Sequence, residues 1–238
     1  VLEKRVTFVN GKEDGVDTSY YSSGCPQVIR NHINGTETGQ WIYFYDSTQY
    51  VAWEMNYILG EKHGKHIFFK KNGDTTRWEN YKHGLPDGIK RSYYPDSKIK
   101  SEVTYKNGFM DGSFTIYNLN GLVIEKLNFK RGKKHEECYF YYEDGTPLKI
   151  ENWKYGVKNG EFKVFYYNGN IQTSENYVKG IKEGWFMEFY QDSKTKRKAL
   201  YKKDELLEER RYDGHGRETY SFGVTDEDEF EDDEVPER

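Results

Sequence analysis

Glycine recurs in this chain at a period that few folds can accommodate. One glycine per unit falls at Gly11, Gly35, Gly60, Gly84, Gly108, Gly132, Gly156 and Gly180, spaced by 24 residues except for one step of 25 after Gly35. A second lies four residues on, at Gly15, Gly39, Gly64, Gly88, Gly112, Gly160 and Gly184, with Glu136 as the one substitute. Five residues further stands an aromatic in every unit: Tyr20, Phe44, Phe69, Tyr93, Tyr117, Tyr141, Phe165 and Phe189. Another turn signal follows at Ser23-Gly24, Asn72-Gly73, Asn120-Gly121, Asp144-Gly145 and Asn168-Gly169, with Asp96-Ser97 and Asp192-Ser193 as weaker versions. The next segment ends on an aromatic at Tyr57, Tyr81, Tyr105, Phe129, Trp153, Tyr177 and Tyr201, and His32 takes that place early in the chain. A fixed period of this length marks a repeat architecture, so nearly the whole chain is copies of one small unit.

The unit is a β-hairpin by its chemistry. Asn-Gly and Asp-Gly suit a turn whose two central residues both need positive φ. Gly-x-x-x-Gly is expected to turn the chain at the opposite edge of the sheet. Between turns lie segments of ordinary strand length, rich in Phe, Tyr, Ile and Val. Short turns permit only antiparallel neighbours. The expected fold is therefore all-β, an elongated single-layer antiparallel meander of hairpins, twisted or curled.

Composition bears on how thick such a sheet can be. Only 35% of residues are apolar, and 5 Trp, 22 Tyr and 14 Phe supply nearly half of those. Aliphatic side chains, the usual filling of a core, are scarce. Alternation places Glu161, Lys163 and Phe165 on one face and Phe162, Val164 and Tyr166 on the other. Each face is thus expected to carry a ladder of rings. Sixteen or so strands at about 4.8 Å make a sheet of roughly 75–80 Å. Cys25 and Cys138 lie five units apart on it, beyond the reach of a disulfide, and are expected as thiols.

After Tyr201 the pattern decays. Lys203 to Glu209 lacks both turn glycines, and Tyr212 to Arg217 has the makings of a last hairpin. The expected organisation is an array over 1–203, a capping hairpin over 204–224 and a disordered acidic tail over 225–238. The tail holds nine acids and one base. The whole chain carries −4, so residues 1–224 carry +4. No run of about 18 apolar residues is present to span a membrane. The chain begins at Val1 with no signal-like segment, which leaves open a removed leader or a missing start. An intracellular compartment is the expectation.

The pattern aromatic-x-x-Gly-x-x-x-Gly-x-aromatic-x-x-aromatic-aromatic-x-Asn-Gly resembles the MORN repeat in its longer variant. The match runs from about Arg5 to Tyr201, and Tyr105 to Tyr117 lies close to consensus. Departures are local: Glu136 for glycine, Thr48 and Ser97 where a turn glycine is expected, and the extra residue before Gly60. The resemblance implies about eight repeats and a role as a scaffold, a dimerisation or membrane-association module, a part attached to an enzyme, or an antitoxin.

Candidate chemistry is sparse. His63 and His66 sit three apart, but no third ligand accompanies them at metal spacing, and His63 occupies a place that Asp14, Asp87, Asp111, His135, Asn159 and Glu183 fill elsewhere. His83 and His135 are expected in turns. Glu54, Glu79, Glu102, Glu125, Glu151 and Glu175 recur on the second strand, where a repeating sheet offers each the same surroundings and lysines to pair with. No phosphate loop or nucleophile elbow occurs. No catalytic, cofactor or metal residues are therefore assigned, and no cofactor is expected. A basic surface with interleaved rings would suit single-stranded nucleic acid, but +4 is too small for strong phosphate binding.

The expected function is a non-enzymatic scaffold that docks onto protein partners or forms part of a larger complex. The partner-binding candidates are the ladder Tyr20, Phe44, Phe69, Tyr93, Tyr117, Tyr141, Phe165 and Phe189, with the unpaired sheet edges and the tail as helpers. The alternative is an antitoxin-like protein that occupies a toxin's active site. Glycan or lipid-headgroup binding is a third reading, with Trp41 and Trp185 as its test residues, and peripheral membrane contact is compatible with it. Anything specific is expected where the pattern breaks: Thr48 to Met55, Glu136, and the end beyond Tyr201.

Overall fold

A computed structural model of the chain describes residues 3–223. The acidic stretch 225–238 lies outside the described residues. Every regular element among them is a strand, and the chain divides into two compact units, Val1–Gly145 and Thr146–Arg238.

In the first unit the strands Gly15–Tyr20, Pro26–Ile33, Thr36–Phe44, Val51–Ile58, Gly64–Phe69, Thr75–Lys82, Gly88–Tyr93, Ile99–Lys106, Phe109–Tyr117, Val123–Lys130 and Glu136–Tyr141 each pair antiparallel with the next in sequence. The short strand Lys4–Arg5 pairs with Gly15–Tyr20. In the second unit Pro147–Lys154, Gly160–Phe165, Ile171–Val178, Gly184–Phe189, Thr195–Lys202, Glu205–Tyr212 and Glu218–Phe222 do the same. The all-β antiparallel meander expected from the glycine period is what the chain forms.

The two turns exchange the roles that the sequence suggested. The two-residue turn lies at the first glycine: Lys106 pairs with Phe109, and Asn107 and Gly108 between them have φ of 49° and 83°. Tyr155-Gly156 and Lys179-Gly180 also combine two positive φ values, although neither is Asn-Gly. At Asn168-Gly169 only the glycine is left-handed, with φ of 86°. Gly169 N donates to Tyr166 O at 2.9 Å and Tyr166 N to Asn170 O at 2.8 Å. That is a tight turn followed by a left-handed residue, and the register shifts at the ladder aromatic just before it. Ser47, Ser97 and Ser193 take the left-handed place at φ of 59°, 66° and 66°. The missing turn glycine is therefore replaced by Ser47 rather than Thr48, whose hydroxyl donates to Tyr45 O at 3.0 Å.

The second glycine is no end of a turn. Gly39 and Gly112 sit inside the following strand at a bulge, where in the latter case Tyr105 pairs with Met110 but Val103 pairs with Phe114; at Gly15, Gly64, Gly88, Gly160 and Gly184 the glycine opens that strand. Asn152 lies against the second glycine of its own unit, Gly160, and donates its amide to Glu161 O at 2.6 Å. Asn31, Asn56, Asn80 and Asn128 do the same to Gln40, Lys65, Ile89 and Glu137 at 2.7–2.9 Å. A Cβ on Gly160 would stand 3.0 Å from that of Asn152. The residue before the glycine is likewise more than any polar turn residue. Asp14, Asp87 and Asn159 accept the backbone N–H of Asn34, Asn107 and Lys179, the first turn residue one unit later, at 3.0–3.1 Å. Neighbouring hairpins are stitched together along this edge.

Candidate functional site

The eight ladder aromatics all close a first strand, and all are half-buried. Tyr20, Phe44, Phe69, Tyr93, Tyr117, Phe165 and Phe189 each pair with the first residue of the next strand, beside a register shift. Their carbonyls have a second task. Tyr21, Tyr45, Tyr94 and Tyr166 donate their hydroxyls to Phe44 O, Phe69 O, Tyr117 O and Phe189 O, each at 2.8 Å. The tyrosine that follows Tyr20, Phe44, Tyr93 and Phe165 thus ties one hairpin to the next. The repeat pattern contains this second aromatic, but its role in joining hairpins is not legible from the sequence, because the accepting carbonyl lies one unit away.

The buried rings form another set, on the opposite face. In the first unit His32, Trp41, Tyr57, His66 and Tyr81 follow one another with centroids 4.6–6.0 Å apart. In the second unit Trp153, Phe162, Tyr177, Phe186 and Tyr201 stand edge to face at 4.9–5.5 Å, around Ala199. Such a spine supplies the core that aliphatic residues do not. Trp41 is 6% exposed and belongs to it, so it is no ligand-facing residue; Trp185 is exposed, with Lys198 over its ring.

His66 is fully buried in the spine, and its Nε2 lies 3.0 Å from Asn56 O. Burial holds its imidazole below the ordinary pKa. His63 lies beside the turn edge instead, edge-on to His83 at 5.7 Å. The tempting histidine pair is separated by the sheet itself.

The recurrent carboxylates do not share one environment. Glu79 and Glu151 are buried on the spine face, whereas Glu54 and Glu102 project from the other. Burial opposes ionisation of Glu79, yet Lys90 at 2.8 Å and the Tyr81 hydroxyl at 2.8 Å overcome it and hold the carboxyl below its usual range. Burial, then Glu79, pushes Tyr81 up to about 12. Glu151 is held by Lys149 at 2.6 Å and by Trp153 Nε1 at 3.0 Å. Near the end of the second unit, Arg197 at 2.9 Å and Arg211 at 2.6 Å bring the buried Glu209 down to about 2. These acids are fixed by strong partners. Cys25 and Cys138 are thiols, as expected.

Both units expose apolar side chains at their turn edges. In the first unit Ile33, Ile58, Leu59, Leu85 and Phe109 are 49–80% exposed. In the second, Tyr155, Val157, Val178 and Ile181 are 40–51% exposed. Leu85 and Phe109 follow the first glycine directly and lean towards Gly108 and Gly132 of the next turn. Among the described residues no helix is long and apolar enough to cross a membrane.

A family model described as the MORN repeat variant matches residues 86–107 and 158–179. Each stretch carries the second glycine of a unit, Gly88 or Gly160, and ends on the first residue of a two-residue turn, Asn107 or Lys179. The chain is a MORN-repeat protein. Repeats of this family are generally non-enzymatic and support a scaffold or interaction role. No curated protein matches this MORN-repeat chain. Solved structures titled "Crystal Structure of TcdB2-TccC3-Cdc42" and "Structure of Photorhabdus luminescens Tc holotoxin pore, Mutation TccC3-D651A" are similar at 12% identity over 92% of this chain. The TM-scores are 0.22 and 0.20, and this chain spans about 15% of the length of the matched chains.

Proposed function

We propose that this MORN-repeat protein is a non-enzymatic scaffold that docks onto partner proteins within a larger complex. The observation that carries the reading is the row of exposed apolar side chains at the turn edge of the first unit, from Ile33 through Leu59 and Leu85 to Phe109. Water contact with exposed apolar side chains is unfavourable, and burial of one such as Phe109 contributes about 2 kcal/mol. The half-buried ladder residues, Tyr20 to Tyr141 in the first unit and Phe165 and Phe189 in the second, offer each unit a second face. We retain the division into an array over 1–203, a cap over 204–224 and an acidic tail over 225–238 as part of this proposal.

Native affinity capture followed by mass spectrometry tests it. The protein should bring down a stable set of partners, and the double variant Leu85→Ser, Phe109→Ser should lose them with unchanged far-UV circular dichroism. Recovery of the wild-type protein alone would refute the scaffold reading.

A further inference from the structure

At one end of the first unit the spine changes from rings to charge. Asp17 stands where Trp41, His66 and Phe114 stand in later units, and His32 where Tyr57 and Tyr81 stand. Asp17 is 1% exposed and His32 7%. A carboxylate taken this far from water needs compensation on both oxygens. Arg30 compensates one: its Nε donates to Asp17 Oδ1 at 2.9 Å, and its Nη2 donates to Ser19 Oγ at 3.2 Å. The other oxygen, Oδ2, faces His32 Nδ1 at 3.4 Å, and neither atom has a hydrogen-bond partner. Buried polar atoms without partners are rare and call for an explanation.

Glu13 completes the group. Its Oε2 lies 3.6 Å from His32 Nε2, and one donor atom from each of Glu13, Asp17 and His32 falls within 4.8 Å of the others. The positive charge between the two carboxylates is the ammonium of Lys4, 2.5 Å from Glu13 and 3.8 Å from Asp17. Lys4 belongs to the two-residue strand Lys4–Arg5, and its side chain is 38% exposed. It can leave for solvent without disturbing the sheet.

We propose that Glu13, Asp17 and His32 bind a divalent first-row transition ion such as Zn²⁺, with the Lys4 ammonium as its stand-in and competitor. One imidazole and two carboxylates form a donor set that such ions accept, whereas Mg²⁺ and Ca²⁺ favour oxygen alone. Arg30 does not obstruct the ion. It holds Asp17 Oδ1 from behind and orients Oδ2 inward, as an outer partner of a ligating carboxylate does. Glu13, 28% exposed, is the ligand with room to swing inward, and its open side leaves a fourth position to water. The ion would replace a single charge at 2.5–3.8 Å with a double charge in direct contact.

The test is titration of the full chain with Zn²⁺ by calorimetry and with Co²⁺ by visible absorption. Wild type should take up one equivalent. H32Q and D17N should each weaken binding at least tenfold, while K4A, which keeps every ligand and removes the competitor, should tighten it about tenfold. Zn²⁺ should raise the melting temperature of wild type and K4A and leave that of H32Q unchanged. Absence of saturable binding in both wild type and K4A would reduce the cluster to an ion-pair network and overturn the proposal. Undiminished binding in H32Q would overturn it too, because the ion would then sit on other histidines such as His63 and His83. Since K4A leaves Glu13, Asp17 and His32 intact, its tightening stands even if D17N or H32Q fails to fold.

Discussion

Replacement of Gly160 by alanine should destabilise the second unit far more than the same change at Gly169. Both glycines are left-handed, at φ of 110° and 86°. Gly169 lies in a loop where an added methyl would have nothing within 4 Å, so Gly169→Ala meets backbone strain alone. That strain costs about 1 kcal/mol, and alanine recovers part of it by stiffening the unfolded chain. At Gly160 the φ value lies beyond the left-handed well that an L-residue tolerates, which costs roughly 1–3 kcal/mol. The new Cβ would also stand 3.0 Å from Asn152 Cβ and 3.4 Å from its Cγ. Asn152 Cβ is anchored to the backbone, so no change of rotamer relieves the contact, and overpacking of this kind adds about 1–3 kcal/mol. The expected losses are about 3 kcal/mol for Gly160→Ala and below about 1 kcal/mol for Gly169→Ala. Urea unfolding followed by tryptophan fluorescence, with Trp153 and Trp185 as reporters, measures both, provided the m-values agree. Equal losses would refute the reasoning, because they would mean that the sheet relaxes around the methyl and that the Asn152 contact imposes nothing.

Three further outcomes follow from the same geometry. Glu136 occupies the place that the second glycine fills elsewhere, at φ of 64°, so Glu136→Gly should raise stability by about 1 kcal/mol in the same denaturation assay. Glu209 has a folded pKa of about 2 against an ordinary 4.5; its stabilisation is therefore complete above pH 4.5 and lost as the pH falls towards 2. Melting curves between pH 6 and 2 should show that loss, on the order of 2–3 kcal/mol, in wild type and not in Glu209→Gln. Tyr166→Phe removes the hydroxyl that donates to Phe189 O, and a drop of about 1 kcal/mol is expected, with protection lost first around Phe189 in hydrogen-exchange measurements.

The sequence by itself determined the period, the hairpins and the antiparallel order. Left-handed backbone is a local requirement, and glycine answers it within a few residues, so a 24-residue glycine rhythm exposes the fold directly. The tertiary structure decided what each glycine does. Whether Gly108 closes a two-residue turn while Gly112 sits in a bulge depends on cross-strand hydrogen bonds, such as those of Asp87 to Asn107 and of Asn152 to Glu161, that join residues 20 or 9 positions apart. The choice of buried face was also beyond the sequence. Phe162 and Phe165 carry the same ring, yet only Phe162 enters the spine, because aromatic residues occur on both sides of each strand and alternation alone cannot rank them. The same holds for Asp17 and His32, ordinary polar residues in the chain that the pairing of Gly15–Tyr20 with Pro26–Ile33 brings together inside the sheet.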